Sequence, residues 1–492
     1  MSPASRGILA GLLLAGVAAL GTLAANQGWL LPSVDESGAA YLVAAPQVVV
    51  DGATVAPWSE WDGREPDLLA GRGVALTGVM SALLPLRPQP HVTALWSLAA
   101  SAAVLMLFVA WTVGGVAGIP GGLLAGAVLA SSALGVSLAT AIRPEILAMA
   151  RVARQLGLFT YQPRWWVAHG LVGALCWLAL PAGLGCVLAA ALVAVWTRDE
   201  PQERARAALG TITTALAAPA ITWVLPWAGF ASLLPVRPPS FGSATASLRG
   251  VVEFMGGGWG GPSVVLGLVV GTAAAALVLS EWVETPAVLE PVDWKDPRAP
   301  DGLAEAFRPA ALIQAVSLLL STELLGALDG PTSAPWALVI VPVVAVGCAA
   351  VARRAARRRW RATVVPAALI WLGVSALGAR TTLTSIQEDG RALTHRSWVS
   401  SEVIRWVDNR SDGFTTFYSD EPALLHIQSG ERAIRLPRRT ADLDAFADVF
   451  QDRPGAVLVT AASRVSANAI EDALGLEVIE ATAEGTILVP VR

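Results

Sequence analysis

Long apolar runs separated by short polar segments carry the chain from residue 7 to residue 379, and a mixed polar pattern takes over from about residue 396. A helix needs roughly 17–25 apolar residues to cross a bilayer. Runs of about that length fall near 7–26, 94–113, 117–139, 146–161, 165–181, 182–197, 207–228, 261–281, 309–328, 334–352 and 363–379. The pattern therefore predicts about eleven membrane-spanning helices. Arg151, Arg154 and Gln155 interrupt the fourth, and charges there must face a bundle interior or snorkel to an interface. The first run is read as an anchor, because it is long for a signal-peptide core and Leu23-Ala24-Ala25 is a poor cleavage site.

The tail has a different rhythm. Helix-period stretches at 398–408, 421–429, 441–452 and 463–474 alternate with strand-like segments at 415–418, 433–437, 456–460, 476–480 and 485–490. Such alternation predicts a small α/β domain. No phosphate loop, nucleophile elbow or metal cluster stands in it, so a supporting or acceptor-binding role is expected there. The predicted architecture is an all-α polytopic membrane bundle over 1–380, with loops 27–93 and 229–260, followed by a soluble α/β domain over 381–492.

Composition sharpens this. Of 492 residues 54% are hydrophobic and 15% charged, against about 25% charged in soluble proteins. Mean hydropathy is +0.57. The bilayer must be the solvent for most of the chain, and a net charge of −4 excludes a basic field for nucleic acid. Cys176, Cys186 and Cys348 all lie in apolar runs, and the four histidines lack metal-ligand spacing, so neither a disulfide framework nor a metal site is predicted.

Basic residues set sidedness. With the N-terminus inside, the inner short segments hold Arg6, Arg164, Arg198, Arg204, Arg206, Lys295, Arg298, Arg308 and the run Arg353, Arg354, Arg357, Arg358, Arg359, Arg361. The outer ones hold only Arg64, Arg72, Arg87, Arg143, Arg237 and Arg249. This predicts a multi-pass protein of the cytoplasmic (inner) membrane with a cytoplasmic N-terminus and an extracytoplasmic C-terminal domain.

Candidate chemistry gathers on the outer face. Asp35-Glu36 opens the first outer loop, ahead of an extended-looking Tyr41-Leu42-Val43-Ala44-Ala45 and of Trp58-Ser59-Glu60-Trp61-Asp62-Gly63. Residues 67–86 read as one or two helices lying at the interface. Arg143-Pro144-Glu145 ends the third span, and the loop 229–260 adds Arg237, Arg249 and Glu253. Carboxylates can accept a proton from a hydroxyl, and arginines can hold a phosphate through paired hydrogen bonds.

Four features carry a family resemblance. They are Asp35-Glu36 followed by Tyr41 and Ala44-Ala45; Leu68-Leu69-Ala70-Gly71-Arg72-Gly73 before an amphipathic segment; Arg143-Pro144-Glu145 with the later Arg164-Trp165-Trp166; and Tyr418-Ser419-Asp420-Glu421-Pro422 through Gly430 to Leu436-Pro437. In this order the chain resembles the GT-C superfamily of membrane glycosyltransferases, in the branch of protein O-mannosyltransferases and aminoarabinose transferases. The resemblance implies a hexosyl- or pentosyltransferase that inverts the anomeric carbon. Its donor is a polyprenyl-phosphate-linked sugar in the lipid bilayer, and its acceptor a hydroxyl of an envelope glycan, lipid or protein. By the same carry-over Asp35 is the general base, Glu36 and Glu145 complete the catalytic carboxylates, and Arg143, Arg72, Arg237 and Arg249 bind the donor phosphate. Whether a divalent cation, Mg or Mn, assists is left open. Two rival readings also stand. One is a transporter or flippase of lipid-linked saccharides, which predicts charges inside spans beyond Arg151, Arg154 and Glu323. The other is a catalytically inactive membrane scaffold.

Overall fold

The computed structural model describes residues 3–26, 36–51, 54, 56–64, 68–69, 72–86, 89–162, 164–198, 200–225, 233, 249–256, 261–284, 300–325, 336–389, 393, 395–399, 401–410, 416–461 and 463–491. The chain forms two compact units. Unit 1 comprises Met1–Trp29 and Leu69–Thr384, and unit 2 comprises Leu30–Leu68 and Ser385–Arg492.

In chain order the elements are α1 (Pro3–Ala25), α2 (Glu36–Asp51), β1 (Ser59–Glu60), α3 (Ala75–Leu83), α4 (Pro90–Ala130), α5 (Ala133–Ala139), α6 (Glu145–Tyr161) and α7 (Trp166–Ala179). Then follow α8 (Leu184–Trp196), α9 (Pro201–Ala215), α10 (Ala217–Val224), α11 (249–255), α12 (Gly261–Glu284), α13 (Pro300–Leu325), α14 (Ala337–Ala356) and α15 (Arg358–Asp389). The remainder is α16 (Arg396–Val399), α17 (Glu402–Arg410), β2 (Phe417–Ser419), α18 (Pro422–Ser429), β3 (Ala433–Arg435), α19 (Leu443–Asp452), β4 (Ala456–Thr460), α20 (Ala467–Leu474), β5 (Leu476–Ala481) and β6 (Gly485–Pro490).

Unit 1 is helical, and its apolar side chains face outward as well as inward. Leu13, Val17 and Leu20 of α1 and Leu369 and Ile370 of α15 are exposed. A stripe of that kind is stable only in lipid. Among the described residues, five helical stretches have the length and apolarity to cross a membrane: Gly7–Ala25, Pro90–Ala130, Pro201–Val224, Ala337–Ala356 and Arg358–Glu388. Trp166–Ala179, Pro181–Trp196, Val265–Ser280 and Phe307–Thr322 are shorter apolar helices of the same unit. The chain is a multi-pass membrane protein.

Two glycine features shape this bundle. Gly7 and Gly11, four residues apart, let α1 press onto α4; a Cβ on Gly11 would lie 2.8 Å from the Leu107 carbonyl oxygen. Small residues at that spacing allow helix backbones to approach in lipid. At Gly118, with φ 77° and ψ 173°, α4 breaks. The part after the break folds back, so that Gly122 lies against Ala110 and Gly114. The two apolar runs at 94–113 and 117–139 thus become two legs of a hairpin, the second extended by α5.

Buried amides lock the centre. Gln155 Nε2 donates to the Cys186 carbonyl at 2.9 Å and to that of His169 at 3.3 Å. Gln314 Nε2 donates to Gln155 Oε1 at 3.0 Å and to the Val152 carbonyl at 3.1 Å. These bonds tie α6, α7, α8 and α13, and explain why a polar residue stands in the fourth apolar run: a buried amide is tolerated only when partnered.

Unit 2 is built on a six-stranded sheet in the order β1-β3-β2-β4-β6-β5. The first four strands in that order pair in parallel, and β6 pairs antiparallel with β4 and β5. Residues alternate between two cores, as the period of two in a strand demands. Phe417, Ala456, Leu458 and Ile487 pack with Val403 and Val407 of α17 and Leu425 of α18. Tyr418, Val457, Val459 and Leu488 pack with Phe446 and Phe450 of α19 and Ile470 of α20.

Two parts of the first loop depart from the sequence expectation. Residues 41–45 are helical rather than extended, because Tyr41, Ala44 and Ala45 at spacings of three and four form the buried face of α2. Ser59 and Glu60 add strand β1 to the sheet edge opposite Ile434 and Arg435. That pairing groups Leu30–Leu68 with the tail rather than with the helices.

Candidate active site

The Arg143-Pro144-Glu145 corner stands where α5 gives way to α6. Thr140 Oγ1 donates back to the Val136 carbonyl at 2.8 Å and closes α5. Proline has no N–H to lose at a helix start; Pro144 takes the cap position with φ −77°, and Glu145 is the first residue of α6. Glu145 is 2% exposed, and Arg143 is half-buried. A carboxylate at a helix N-terminus meets the positive end of the helix dipole. The corner is held by a rigid pair of helices. Arg151 donates to the Leu175 carbonyl, and the Cys176 thiol reaches the Ala148 carbonyl at 3.8 Å.

Contacts within unit 1 show which other residues share this end. Asn26, just past α1, donates through Nδ2 to the Ala139 carbonyl at 3.1 Å, four residues before Arg143. Val74 N donates to the Leu178 carbonyl at 2.8 Å, so Arg72 stands at the end of α7, beside the start of α6. Trp177 Nε1 donates to the Leu233 carbonyl at 3.1 Å and brings one residue of the 229–260 loop to the same end. Gly250 packs on Trp336 at the start of α14, which carries Arg249 there too. The Arg249 side chain is 70% exposed and pairs with Glu253 at 2.7 Å. The arginine run between α14 and α15 lies at the opposite end, where Arg354 donates to Ser280 near the end of α12. Arg72, Arg143, Glu145 and Arg249 thus share one end of the bundle.

Asp35 and Arg237 lie outside the described residues. Glu36 opens α2, with its side chain also outside them. Within unit 2, polar chemistry collects at the carboxyl ends of the parallel strands. Arg435 of β3, 4% exposed, sits 3.2 Å from Glu60 of β1 in an ion pair. Its guanidinium also reaches the Asp420 carbonyl at 3.3 Å. Asp420, just after β2, accepts from the Thr460 amide at 2.9 Å and from the Thr460 hydroxyl at 2.6 Å. Burial raises the Asp420 carboxyl above the ordinary carboxylate value, outweighing the hydrogen bonds from Thr460 that lower it. Burial likewise lowers His426, whose ring lies 6.3 Å from that of Trp58. The sequence expectation missed this set. Its signal was faint: Glu60 stands in a two-residue strand, too short to show a period.

Magnesium and manganese take oxygen ligands. Among the described residues, no three His, Cys, Asp or Glu side chains come together as a metal-binding group.

No family model matches the sequence, and no curated protein matches it. Solved structures do match in three dimensions. ArnT from Cupriavidus metallidurans in the apo state aligns over 97% of this chain and 97% of its own, with a TM-score of 0.62 and 13% identity. The same protein bound to undecaprenyl phosphate aligns over the same shares, with a TM-score of 0.57 and 12% identity. The archaeal oligosaccharyltransferase AglB from Archaeoglobus fulgidus, in complex with an inhibitory peptide and a dolichol-phosphate, aligns over 92% of this chain and 69% of its own, with a TM-score of 0.56 and 12% identity. The chain shares its fold with ArnT and with this archaeal oligosaccharyltransferase, in keeping with its resemblance to the GT-C superfamily.

Proposed function

We propose that this protein transfers a glycosyl group from a polyprenyl-phosphate-linked sugar to an envelope acceptor hydroxyl at the outer face of the cytoplasmic membrane. The observation that carries the reading is the shared fold over nearly the whole of both chains with ArnT, a protein crystallised with undecaprenyl phosphate. The buried carboxylate of Glu145 at the bundle end that also holds Arg72, Arg143 and Arg249 supports it. The remaining architecture belongs to the same proposal: about eleven spans, a cytoplasmic N-terminus, and an extracytoplasmic α/β domain at 381–492.

In this mechanism the acceptor oxygen attacks the anomeric carbon while Asp35 takes its proton. The bond from that carbon to the phosphate oxygen breaks with inversion, and the polyprenyl phosphate leaves with the electron pair. Charge grows on the departing phosphate in the transition state, so fixed cations there lower the barrier. Arg143 and Arg72, with Arg237 and Arg249, are the candidates for that role. Glu36 and Glu145 orient the acceptor and the sugar hydroxyls.

Deleting the gene and comparing envelope glycans and glycoproteins by mass spectrometry tests the reading. A hexose or pentose should disappear, return with the wild-type gene, and fail to return with Asp35→Ala. An unchanged profile on deletion, or full rescue by Asp35→Ala, overturns it. Rescue would favour the transporter or scaffold.

A further inference from the structure

Reaching in from the bundle end opposite Glu145, a partly open cavity of about 440 Å³ lies between α4, α11, α12, α14 and α15. Its lining is almost wholly apolar. On α15 it follows one helical face, from Trp360 through Val364 and Ala368 to Trp371. Eleven residues of helix rise about 16 Å, close to half of the ~30 Å hydrocarbon core of a bilayer. The cavity is thus about one leaflet deep. Its deep end is closed where Trp371 Nε1 donates to the Met255 carbonyl at 2.6 Å.

Its mouth is cationic. The last turn of α14 holds Arg353 and Arg354, Arg357 links the helices, and the first turn of α15 holds Arg358, Arg359 and Arg361. Arg354 and Arg359 place their guanidinium carbons 5.4 Å and 6.0 Å from the Trp360 ring. Trp360 therefore belongs both to the apolar wall and to the arginine turn. Arg358 and Arg361 are exposed on either side of it in the sequence, and Arg361 stands three residues before Val364 of the cavity wall.

A dry apolar cavity is filled by hydrocarbon rather than water, and clustered guanidiniums select phosphate oxygens. Basic pockets between membrane helices bind anionic headgroups on this principle. A ligand with a phosphate at its head and a chain one leaflet long satisfies both halves of the site, whereas a polyprenyl chain is too long to lie in it. We propose that this groove holds an anionic glycerophospholipid, with one acyl chain in the cavity and its phosphodiester on Arg358 and Arg361. The proposal is independent of the glycosyl-transfer reading, since it concerns the other end of the bundle.

Full-length protein purified in neutral detergent is titrated with dioleoyl phosphatidylglycerol or dioleoyl phosphatidylcholine, reading bound lipid by native mass spectrometry and the thermal midpoint. Phosphatidylglycerol should be retained at least tenfold more strongly and should raise the midpoint more. Arg358→Gln with Arg361→Gln should reduce its retention to that of phosphatidylcholine. Gly347 lines the cavity, and a Cβ added there meets no atom within 4 Å. Gly347→Phe should fill the space and abolish lipid retention without lowering the lipid-free midpoint. Equal retention of the two lipids, undiminished retention by either variant, or displacement of phosphatidylglycerol by equimolar polyprenyl phosphate overturns the proposal. Should Gly347→Phe fail to fold, the arginine variant decides alone.

Discussion

Removing the Glu60 carboxylate with Glu60→Ala should loosen the attachment of the first loop to the sheet of unit 2. Its oxygen lies 3.2 Å from Arg435 Nε, and Arg435 is 4% exposed. At that distance the gross attraction is about 5 kcal/mol with an effective dielectric of ~20. Desolvation of the guanidinium offsets much of it, and the Glu60 side chain keeps 31% of its exposure, so water can approach once the carboxylate is gone. The hydrogen bond to the Asp420 carbonyl at 3.3 Å survives. A net loss of about 1–3 kcal/mol is expected, which should speed opening of β1 by about 5- to 150-fold, since ~1.4 kcal/mol is tenfold. Hydrogen exchange of the peptide spanning 56–64 in the full-length protein reads it. The double variant Glu60→Ala with Arg435→Met should be milder than Glu60→Ala alone, because no buried charge is left behind. Exchange within twofold of wild type in Glu60→Ala, or a double variant whose loss equals the sum of the single losses, refutes the reasoning.

Other outcomes follow from the same geometry. Glu145→Gln keeps the volume of a buried side chain at the start of α6; transfer of label from a polyprenyl-phosphate sugar should fall by about 10²-fold or more with an unchanged thermal midpoint. Activity within a few-fold of wild type would remove Glu145 from the site. Gly118→Ala forces a side chain into φ 77°, ψ 173° and should lower stability by about 1–3 kcal/mol in chemical denaturation; an unchanged transition would mean that the hairpin of α4 opens at little cost. The Asp420 carboxyl is raised in the folded protein by burial. The folded state therefore binds its proton more tightly than the unfolded state. Its stabilising contribution is full below the unfolded value of about 3.9 and is lost as pH rises through the raised folded value. Asp420→Asn lacks that loss, so its thermal midpoint relative to wild type should become more favourable between pH 4 and pH 7. A gap that is constant or shrinks across that range contradicts the assignment.

Much of the helical bundle was legible because membrane burial is written locally. A run long and apolar enough to cross lipid announces itself without knowledge of its neighbours, and α1, α14 and α15 stand where such runs fall. The alternating tail was equally readable: β4, β5, β6, α18 and α19 lie within a few residues of the segments that their periods mark. The Arg-Pro-Glu corner was visible as a charged end to the third apolar run.

What the amino-acid order alone determined, then, is the kind of each segment, since hydropathy and period are properties of neighbouring residues. Tertiary structure alone decided the partnerships. A two-residue strand such as Ser59–Glu60 has no period of its own and exists only because β3 offers an open edge with a buried arginine behind it. The helical face Tyr41-Ala44-Ala45 became meaningful once α18 lay against it. Arg72 is far in sequence from the Arg143-Pro144-Glu145 corner and shares its end only because α6 and α7 run antiparallel and the residues after Arg72 dock on Leu178. The physical reason is that side-chain burial between distant segments depends on which faces meet, and a chain read one residue at a time carries faces without their mates.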